Sequence, residues 1–204
     1  MSEGSIYGSC GQFLPEVLRV TKERIERLGS NGEGKPAYEH LRSRIKTEES
    51  MRRKLLTRGL PQTPEAALTQ LHDSVGIRIV CLFIDDIYAM ADRIRGCESW
   101  RVVLEKDYIR TAKSNGYRSF HMILDTEMPF ADIRGNTPGH YPVEVQLRTI
   151  AMDTWAALEH ELQYKKTTEK TELIVSELAR VASELASCDV SMQTIRNLIR
   201  ELRE

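Results

Sequence analysis

The sequence predicts an α/β fold in which a mixed sheet of about five short strands is flanked by helices, with a long helix at the C-terminus. Three observations predict this architecture. Residues 75–84, VGIRIVCLFI, are rich in β-branched and apolar side chains, which is typical of a central strand. Residues 142–149 alternate apolar and polar side chains, as a strand with one buried face does. Nine apolar residues from Ile174 to Leu202 repeat at spacings of four and three, which is the heptad pattern of a long helix.

The elements of the first third follow from local patterns. Residues 12–28 carry apolar side chains at helical spacing, and the glycines and proline of 29–36 end that helix. A basic helix is predicted at about 48–58. A short helix is predicted at 65–72, because Thr63 precedes a proline at the first helical position.

The elements after the central strand are predicted in the same way. Asp85 and Asp86 are interpreted as the cap of a helix that runs to about Arg95. Strands are predicted at 101–109 and 118–126. A long turn at 128–141 then leads into the alternating strand, and a helix at 151–165 follows it.

The composition is that of a globular protein, with 41% hydrophobic and 29% charged residues. No apolar stretch approaches the roughly 18 residues that span a membrane. We do not expect a secretory signal, because the opening MSEGSIYGSCGQ has neither a basic n-region nor a long apolar h-region. Four widely spaced cysteines without a CxxC pair predict a reducing, cytoplasmic setting rather than a zinc cluster or a disulfide framework. A net charge of −1 argues against a long nucleic acid as a partner.

The basic residues are nevertheless concentrated in two segments. Residues 42–58 hold seven Lys or Arg and two Glu, and residues 101–120 hold five Lys or Arg and two acids. Local positive charge in an acidic background favours small anionic ligands over a long polyanion. The alternative is that both segments are ordinary solvated faces.

Two carboxylates stand at positions suited to metal chemistry. Asp73 precedes the central strand and Glu144 lies on the polar face of the alternating strand. Mg²⁺ bound with nucleotide phosphates usually takes one or two protein carboxylates. A turn residue is the alternative for Asp73. A His72-Asp73 metal-hydrolase dyad is disfavoured, because the other four histidines are scattered along the sequence.

The segment KDYIRTAKSNGYRSFH, residues 106–121, combines cations with a tyrosine at a turn. Tyr117 is suited to stacking on the base of a purine nucleotide. The cations Lys106, Lys113 and Arg118 would then lie near the phosphates of that nucleotide. A basic hairpin with a surface tyrosine is the alternative reading.

Four blocks in this order resemble the synthetase domain of the RelA/SpoT family. They are RSRIKTEESMRRKL (42–55), LHDSVGIRIVCLFIDDIY (71–88), KDYIRTAKSNGYRSFHMIL (106–124) and VEVQLRTIAMDTWAALEHELQYK (143–165). The resemblance covers about residues 36–166, and the length of the chain is similar to that of the small alarmone synthetases. It implies a nucleotidyltransferase-like mixed sheet, a Mg²⁺ cofactor, and transfer of pyrophosphate from ATP to the 3′-hydroxyl of GDP or GTP. The products would be ppGpp or pppGpp, and AMP.

The resemblance also implies roles for individual residues. Asp73 and Glu144 would be the catalytic residues and Mg²⁺ ligands, with Glu144 as the general base. The residues implied for ATP are Arg44, Lys46, Ser50, Lys54 and Arg78. The residues implied for GDP or GTP are Lys106, Lys113, Asn115, Tyr117, His121, Gln146 and Arg148.

The resulting expectation divides the chain into an N-terminal helix and linker (1–35), a synthetase domain (36–166) and a C-terminal oligomerisation helix (167–204). Homotetramers are implied by the resemblance. The short chain predicts an enzyme that makes alarmone and, without a hydrolase domain, does not degrade it.

Two other functions stay open from the sequence. A toxin-type relative would use the same centre on an adenine nucleotide or on the 3′ end of tRNA, although Tyr117 in its complete loop favours guanine. A catalytically inactive binding module is the other, and the presence of both Asp73 and Glu144 argues against it.

Overall fold

A computed structural model describes residues 4–30, 36–163 and 171–202. It contains one five-stranded sheet in the order β1-β2-β5-β4-β3, in which β2 and β5 are parallel and the other pairs are antiparallel. The strands are β1 His40–Ile45, β2 Val75–Cys81, β3 Trp100–Asp107, β4 Phe120–Met128 and β5 Gly139–Thr149. The helices are α1 Leu14–Gly29, α2 Glu48–Thr57, α3 Pro64–Thr69, α4 Ile84–Arg95, α5 Ile150–Gln163 and α6 Thr171–Glu201, with a 3₁₀ turn at Gly8–Phe13. The predicted mixed sheet and long C-terminal helix are confirmed.

The core forms on one face of the sheet. Alternate residues of β5, Val143, Val145 and Leu147, are fully buried, as the period of two requires. Helices α1 and α4 contact this sheet and contribute Val17, Ile25, Ile87, Met90 and Ile94 to the same cluster. The opposite face therefore stays free for polar side chains.

Strand β1 was not predicted, although the sequence carries its signal. Leu41, Ser43 and Ile45 are partly buried, whereas Arg42 and Arg44 between them are exposed. Arg42 and Arg44 mask the alternation, because a central strand is usually apolar on both faces. A strand at the sheet edge keeps one face in water and tolerates them.

The predicted aspartate cap of α4 is wrong. The helix begins at Ile84, and its N-cap Phe83 makes no side-chain capping bond. Asp85 and Asp86 lie in the first turn and contact α6 instead. Gln193 Nε2 donates to Asp85 Oδ2 at 2.7 Å, and Arg196 Nη1 donates to Asp86 Oδ1 at 2.6 Å.

The predicted heptad stripe runs along α6, and its two halves differ in burial. Leu178, Val181 and Leu185 are half-buried against the rest of the chain, alongside buried Ala182 and Asp189. The later positions are in solvent: the exposed apolar residues are Met192 (51%), Ile195 (53%), Ile199 (46%) and Leu202 (87%), with Val190 and Leu198 beside them. The second half of the helix thus presents an apolar face that its own chain does not cover.

No helix in the described ranges is long and apolar enough to cross a membrane. The cysteines Cys10, Cys81, Cys97 and Cys188 are all free thiols. The expected domain boundaries after residues 35 and 166 lie outside the described residues. Ile6, Leu14 and Val17 belong to the same core cluster as the sheet.

Candidate active site

The free face of the sheet carries two rows of side chains that cross all five strands. The pairing register aligns Arg44, Gly76, Glu144, Ile123 and Leu104 in one row. It aligns Arg42, Arg78, Gln146, His121 and Lys106 in the next row. Residues from four distant parts of the sequence are adjacent because their strands are. Glu144 stands at the centre, since β5 is the middle strand.

Asp73 lies beside this row, two residues before β2, and is held by two lysines. Lys46 Nζ and Lys54 Nζ each donate to its Oδ2 at 2.6 Å. Burial on its own raises the pKa of Asp73, but these bonds outweigh burial and hold the pKa below its ordinary value. Tyr7 Oη donates to the Lys46 carbonyl at 2.7 Å and fixes the backbone there. Asp73 is therefore an anion in a rigid setting.

Glu144 is the second buried carboxylate. Gln146 Nε2 donates to its Oε2 at 2.8 Å, and His121 Nδ1 lies 3.4 Å from its Oε1. Burial raises the pKa of Glu144, but the hydrogen bond and charge of His121 outweigh burial, and the net pKa is lowered. The charge of Asp73 opposes this lowering. Two ionised carboxylates thus lie close enough to influence each other.

Two cavities open on this face, and Asp73 and Glu144 line both. The β1–β2 cavity has a volume of about 280 Å³. Its other lining residues are Arg42, Ser43, Arg44, Gly76, Ile77, Arg78 and Gln146. The β3–β4 cavity has a volume of about 350 Å³. Its other lining residues are Lys54, Arg58, Gln70, Leu71, His72, Leu104, Lys106, Tyr108, Lys113, His121 and Ile123. The arrangement suits two anionic ligands that meet at one carboxylate pair.

The loop after β3 forms an aromatic wall beside the β3–β4 cavity. Lys113 Nζ lies 4.6 Å from the ring centroids of both Tyr108 and Tyr117. The Tyr117 hydroxyl lies 2.7 Å from His121 Nε2, and the Tyr117 ring packs edge-on against Trp155. The faces of Tyr108 and Tyr117 thus attract the Lys113 ammonium by cation–π interaction.

A pair of arginines lies behind this wall. Arg148 Nη2 donates to the Tyr117 hydroxyl and to Gln146 Oε1, both at 2.9 Å. Its Nη1 donates to Asp153 Oδ1 at 3.0 Å, and Arg78 Nη1 lies 3.1 Å from the same oxygen. Burial and the charge of Arg148 lower the pKa of Arg78, while Asp153 opposes that shift.

The two carboxylates fit a magnesium ion. Asp73 Oδ1 is buried and has no hydrogen-bond partner among the described residues, which is a state that a cation ligand would relieve. The described residues contain no group of three or more His, Cys, Asp or Glu side chains that could hold a metal by itself. Mg²⁺ often takes only one or two carboxylates and completes its shell with substrate phosphates and water.

Some of the predicted site residues stand back from the cavities. Ser50 and Asn115 are engaged in local structure: Ser50 N donates to Thr47 Oγ1 at the start of α2, and Tyr117 N donates to Asn115 Oδ1 in the loop. Neither they nor Tyr117 and Arg148 are among the described lining residues of the two cavities.

Other residues at the site were missed. Tyr108 continues the alternation of Leu104 and Lys106, so the period of two could have placed it on the same face. Arg42 precedes Arg44 by two residues in the same way. Asp153 and Tyr7 act through contacts distant in sequence, and no local pattern indicates them.

Comparison with known proteins identifies the family of this chain. The family described as "Region found in RelA / SpoT proteins" matches residues 43–169. The matched segment contains all five strands except the first three residues of β1, and both carboxylates. The chain belongs to the RelA/SpoT family.

Two individual relatives are similar to most of this chain. GTP pyrophosphokinase YwaC of Bacillus subtilis is 37% identical over 163 residues, which is 80% of this chain and 76% of that protein. GTP pyrophosphokinase YjbM of the same organism is 30% identical over 186 residues, which is 91% of this chain and 85% of that one.

Solved structures show the same fold. The small alarmone synthetase 1 from Bacillus subtilis superposes with a TM-score of 0.80 at 28% identity and covers 92% of this chain and 94% of its own. A structure of that synthetase bound to its product pppGpp gives a TM-score of 0.77 at 29% identity and covers 92% of this chain and 93% of its own.

Proposed function

We propose that this protein synthesises the alarmones ppGpp and pppGpp by transferring the pyrophosphate of ATP to the 3′-hydroxyl of GDP or GTP. The observation that carries the proposal is the pair Asp73 and Glu144, which lines two basic cavities at once. A transfer between two nucleotides needs such a meeting point, because catalysis of phosphoryl transfer consists mainly of positioning and charge stabilisation. The names of YwaC and YjbM and the pppGpp-bound relative support the same activity.

We assign ATP to the β1–β2 cavity. Arg44 and Arg78 present planar guanidinium groups there, which can stack on an adenine. Lys46 and Lys54 lie at the Asp73 end, where the triphosphate would reach the carboxylates. Ser50, in the first turn of α2, would contribute its hydroxyl to a phosphate oxygen.

We assign GDP or GTP to the β3–β4 cavity. A guanine that stacks on Tyr117 would take the place of the Lys113 ammonium, which is then free to bind a phosphate. Lys106 and Arg58 line the same cavity and supply further positive charge. Asn115 would keep the loop in shape, while Gln146 and Arg148 would hold Glu144 and Tyr117 in place.

Asp73 and Glu144 would hold one Mg²⁺, which when bound neutralises charge on the phosphate oxygens. The chain's own residues account for the rest of the step. Glu144, kept ionised by its lowered pKa, accepts the proton of the ribose 3′-hydroxyl. The 3′-oxygen then bonds to the β-phosphorus of ATP. The bond from that phosphorus to the bridging oxygen breaks, and AMP leaves with the oxygen.

The direct test is transfer of label. The protein is incubated with Mg²⁺, ATP labelled on its γ-phosphate, and GDP, GTP, ADP or tRNA in separate reactions. We expect label on GDP and GTP, with one AMP formed for each product. Label on ADP or on the tRNA 3′ end would support the toxin-type alternative. Absence of label on every acceptor would support an inactive binding module.

We further propose a homotetramer assembled through the exposed apolar half of α6, within a division into residues 1–35, 36–166 and 167–204. The support is the uncovered face from Val190 to Leu202, since monomers rarely expose an apolar surface of that length. We also propose that the enzyme works in the cytoplasm. Its four free thiols support a reducing compartment.

A further inference from the structure

Asp153 contacts Arg78, which lines the β1–β2 cavity, and Arg148, which bonds to the aromatic wall, although Asp153 itself is not a lining residue of either cavity. It is in the first turn of α5, directly after β5, and its side chain is only 16% exposed. Thr149 Oγ1 accepts from Met152 N at 3.1 Å and fixes the start of this helix. The Asp153 carboxylate is thereby held in a defined position beside Arg78 of β2 and Arg148 of β5.

One oxygen of Asp153 serves two arginines. Arg78 Nη1 and Arg148 Nη1 lie 3.1 Å and 3.0 Å from Oδ1. The Nε atoms of both arginines are buried and have no partner among the described residues. Without the carboxylate, buried Arg148 and half-buried Arg78 would face each other and repel. The positions of Arg78 and Arg148 are thus set jointly, by one anion.

Of these two arginines only Arg78 lines a cavity, whereas Arg148 contacts the aromatic wall beside the other cavity. Arg78 lines the β1–β2 cavity. Arg148 donates to the Tyr117 hydroxyl at 2.9 Å, and that hydroxyl lies 2.7 Å from His121 Nε2. His121 in turn lies 3.4 Å from Glu144. A continuous chain of polar contacts therefore runs from the wall of one cavity, through Asp153, to the aromatic wall of the other.

We propose that Asp153 is a positioning residue that couples the two nucleotide cavities, so that a base bound in either one increases the affinity of the other. The inference rests on the proposed function. Stacking on Arg78 fixes that guanidinium against Asp153, which fixes Arg148 and hence Tyr117. The second nucleotide then binds to an aromatic wall in which Tyr117 is already fixed in position. Linkage requires that the effect be the same in both directions.

The test is a binding measurement without turnover. Calorimetry gives the Kd of the wild-type protein for α,β-methylene ATP, whose carbon bridge replaces the oxygen at which transfer occurs. It is measured with Mg²⁺, in the absence and in the presence of saturating GDP. We expect GDP to tighten the Kd by about five-fold or more. The reverse titration, GDP with and without the analogue, must give the same factor.

Two variants interrupt this series of polar contacts at different residues. Asp153→Asn removes the charge that both arginines share, and Tyr117→Phe removes only the hydroxyl that accepts from Arg148 while keeping the ring. In each variant the coupling factor should fall to within about two-fold of one. Tyr117→Phe keeps the test decisive if Asp153→Asn does not fold.

Asp125→Asn is the matched control. Asp125 is on β4, and its carboxylate, like that of Asp153, lies beside an arginine, Arg101 at 3.1 Å; neither Asp153 nor either of its arginines is among the described contacts of Asp125. It should keep the wild-type coupling factor. A folded Asp153→Asn with wild-type coupling, or a wild type in which the two ligands bind independently, would overturn the inference. A wild type that binds neither ligand would contradict the proposed function itself.

Discussion

Gly116 lies so close to Ala182 that a methyl group on Gly116 would come within 2.4 Å of the Ala182 Cβ. This contact joins the loop that carries Tyr117 to helix α6. Gly116 also has a φ of +89°, a conformation that side chains with a Cβ rarely adopt. The loop of the β3–β4 cavity therefore depends on the C-terminal helix for its shape.

Gly116→Ala should impair use of the guanine nucleotide. Because the added methyl group pushes the loop from α6, we expect the KM for GDP to rise by about ten-fold, with little change in the KM for ATP. Steady-state kinetics with each substrate varied in turn measures both. Gly135→Ala is the control, since Gly135 has a φ of +82° but nothing within 4 Å of its added Cβ. Equal kinetic damage in both variants would mean that backbone strain alone is responsible.

Glu144→Gln and Asp73→Asn should each reduce synthesis by about 10²-fold or more, because each removes a charge at the point where the cavities meet. Labelled transfer to GDP is the measurement. Glu105→Gln is a suitable control, since its carboxylate pairs with Arg95 outside both cavities. A Glu144 variant that retains more than about a tenth of wild-type turnover would remove Glu144 from the mechanism.

Tyr117→Ala should raise the KM for GDP or GTP far more than the KM for ATP. Loss of a stacked base costs about 1–3 kcal/mol, which corresponds to roughly 5- to 150-fold in binding. The thermal unfolding midpoint of the variant should be compared with that of wild type, because Tyr117 also contacts Trp155. Equal damage to both substrates would make the tyrosine a structural residue.

Asp189 makes the free energy of unfolding depend on pH, and one substitution can isolate its contribution. Burial raises its pKa, and its bond from Thr149 Oγ1 at 2.7 Å and the charge of Arg118 do not offset that rise. Between the pKa of an unfolded aspartate, about 3.9, and the raised value, the folded state holds more protons than the unfolded state. The free energy of unfolding contributed by this group therefore falls as pH rises through that window.

Asp189→Asn removes that contribution and can still accept from Thr149. We expect the Tm of the variant, relative to wild type, to increase as pH rises from about 4 and to level off above the raised pKa. Calorimetric melts across a pH series are the measurement. Asp92→Asn, measured over the same pH series, is the reference for loss of an exposed carboxylate. A constant difference between Asp189→Asn and wild type would contradict the raised pKa.

The exposed half of α6 can be tested without disturbing its docking. Ile195→Lys with Ile199→Lys adds two charges to the apolar face, and light scattering should then show a smaller particle than the tetramer that we propose for the wild type. Glu201→Lys changes the net charge by the same amount on an exposed polar position and should keep the tetramer. A wild-type mass near 23.4 kDa would end the tetramer proposal.

The sequence predicted those parts of the fold that have a local period. The alternation around Val145 and the spacing along α6 are read directly, because each depends on one element. The β1 strand was missed because its arginines, which serve the site, break the usual composition of a strand. The pairing of Gly76 with Glu144 is a matter of strand order, which no local pattern contains.

The candidate site was predicted largely from four sequence blocks that occur in order. Contacts between residues distant in sequence could not be predicted there either. Asp73, Glu144 and Tyr117 are placed by those blocks. Asp153 was not singled out, because its role depends on two arginines that approach it from different strands. The contact of Gly116 with Ala182 spans 66 residues of sequence, and only the folded chain brings them together.

The two rows of side chains across the sheet have a consequence for how this protein can change in length. One inserted residue in any strand would turn the following side chains over, sending the catalytic face into the core and the core into solvent. Insertions in the strands would therefore abolish folding and activity together.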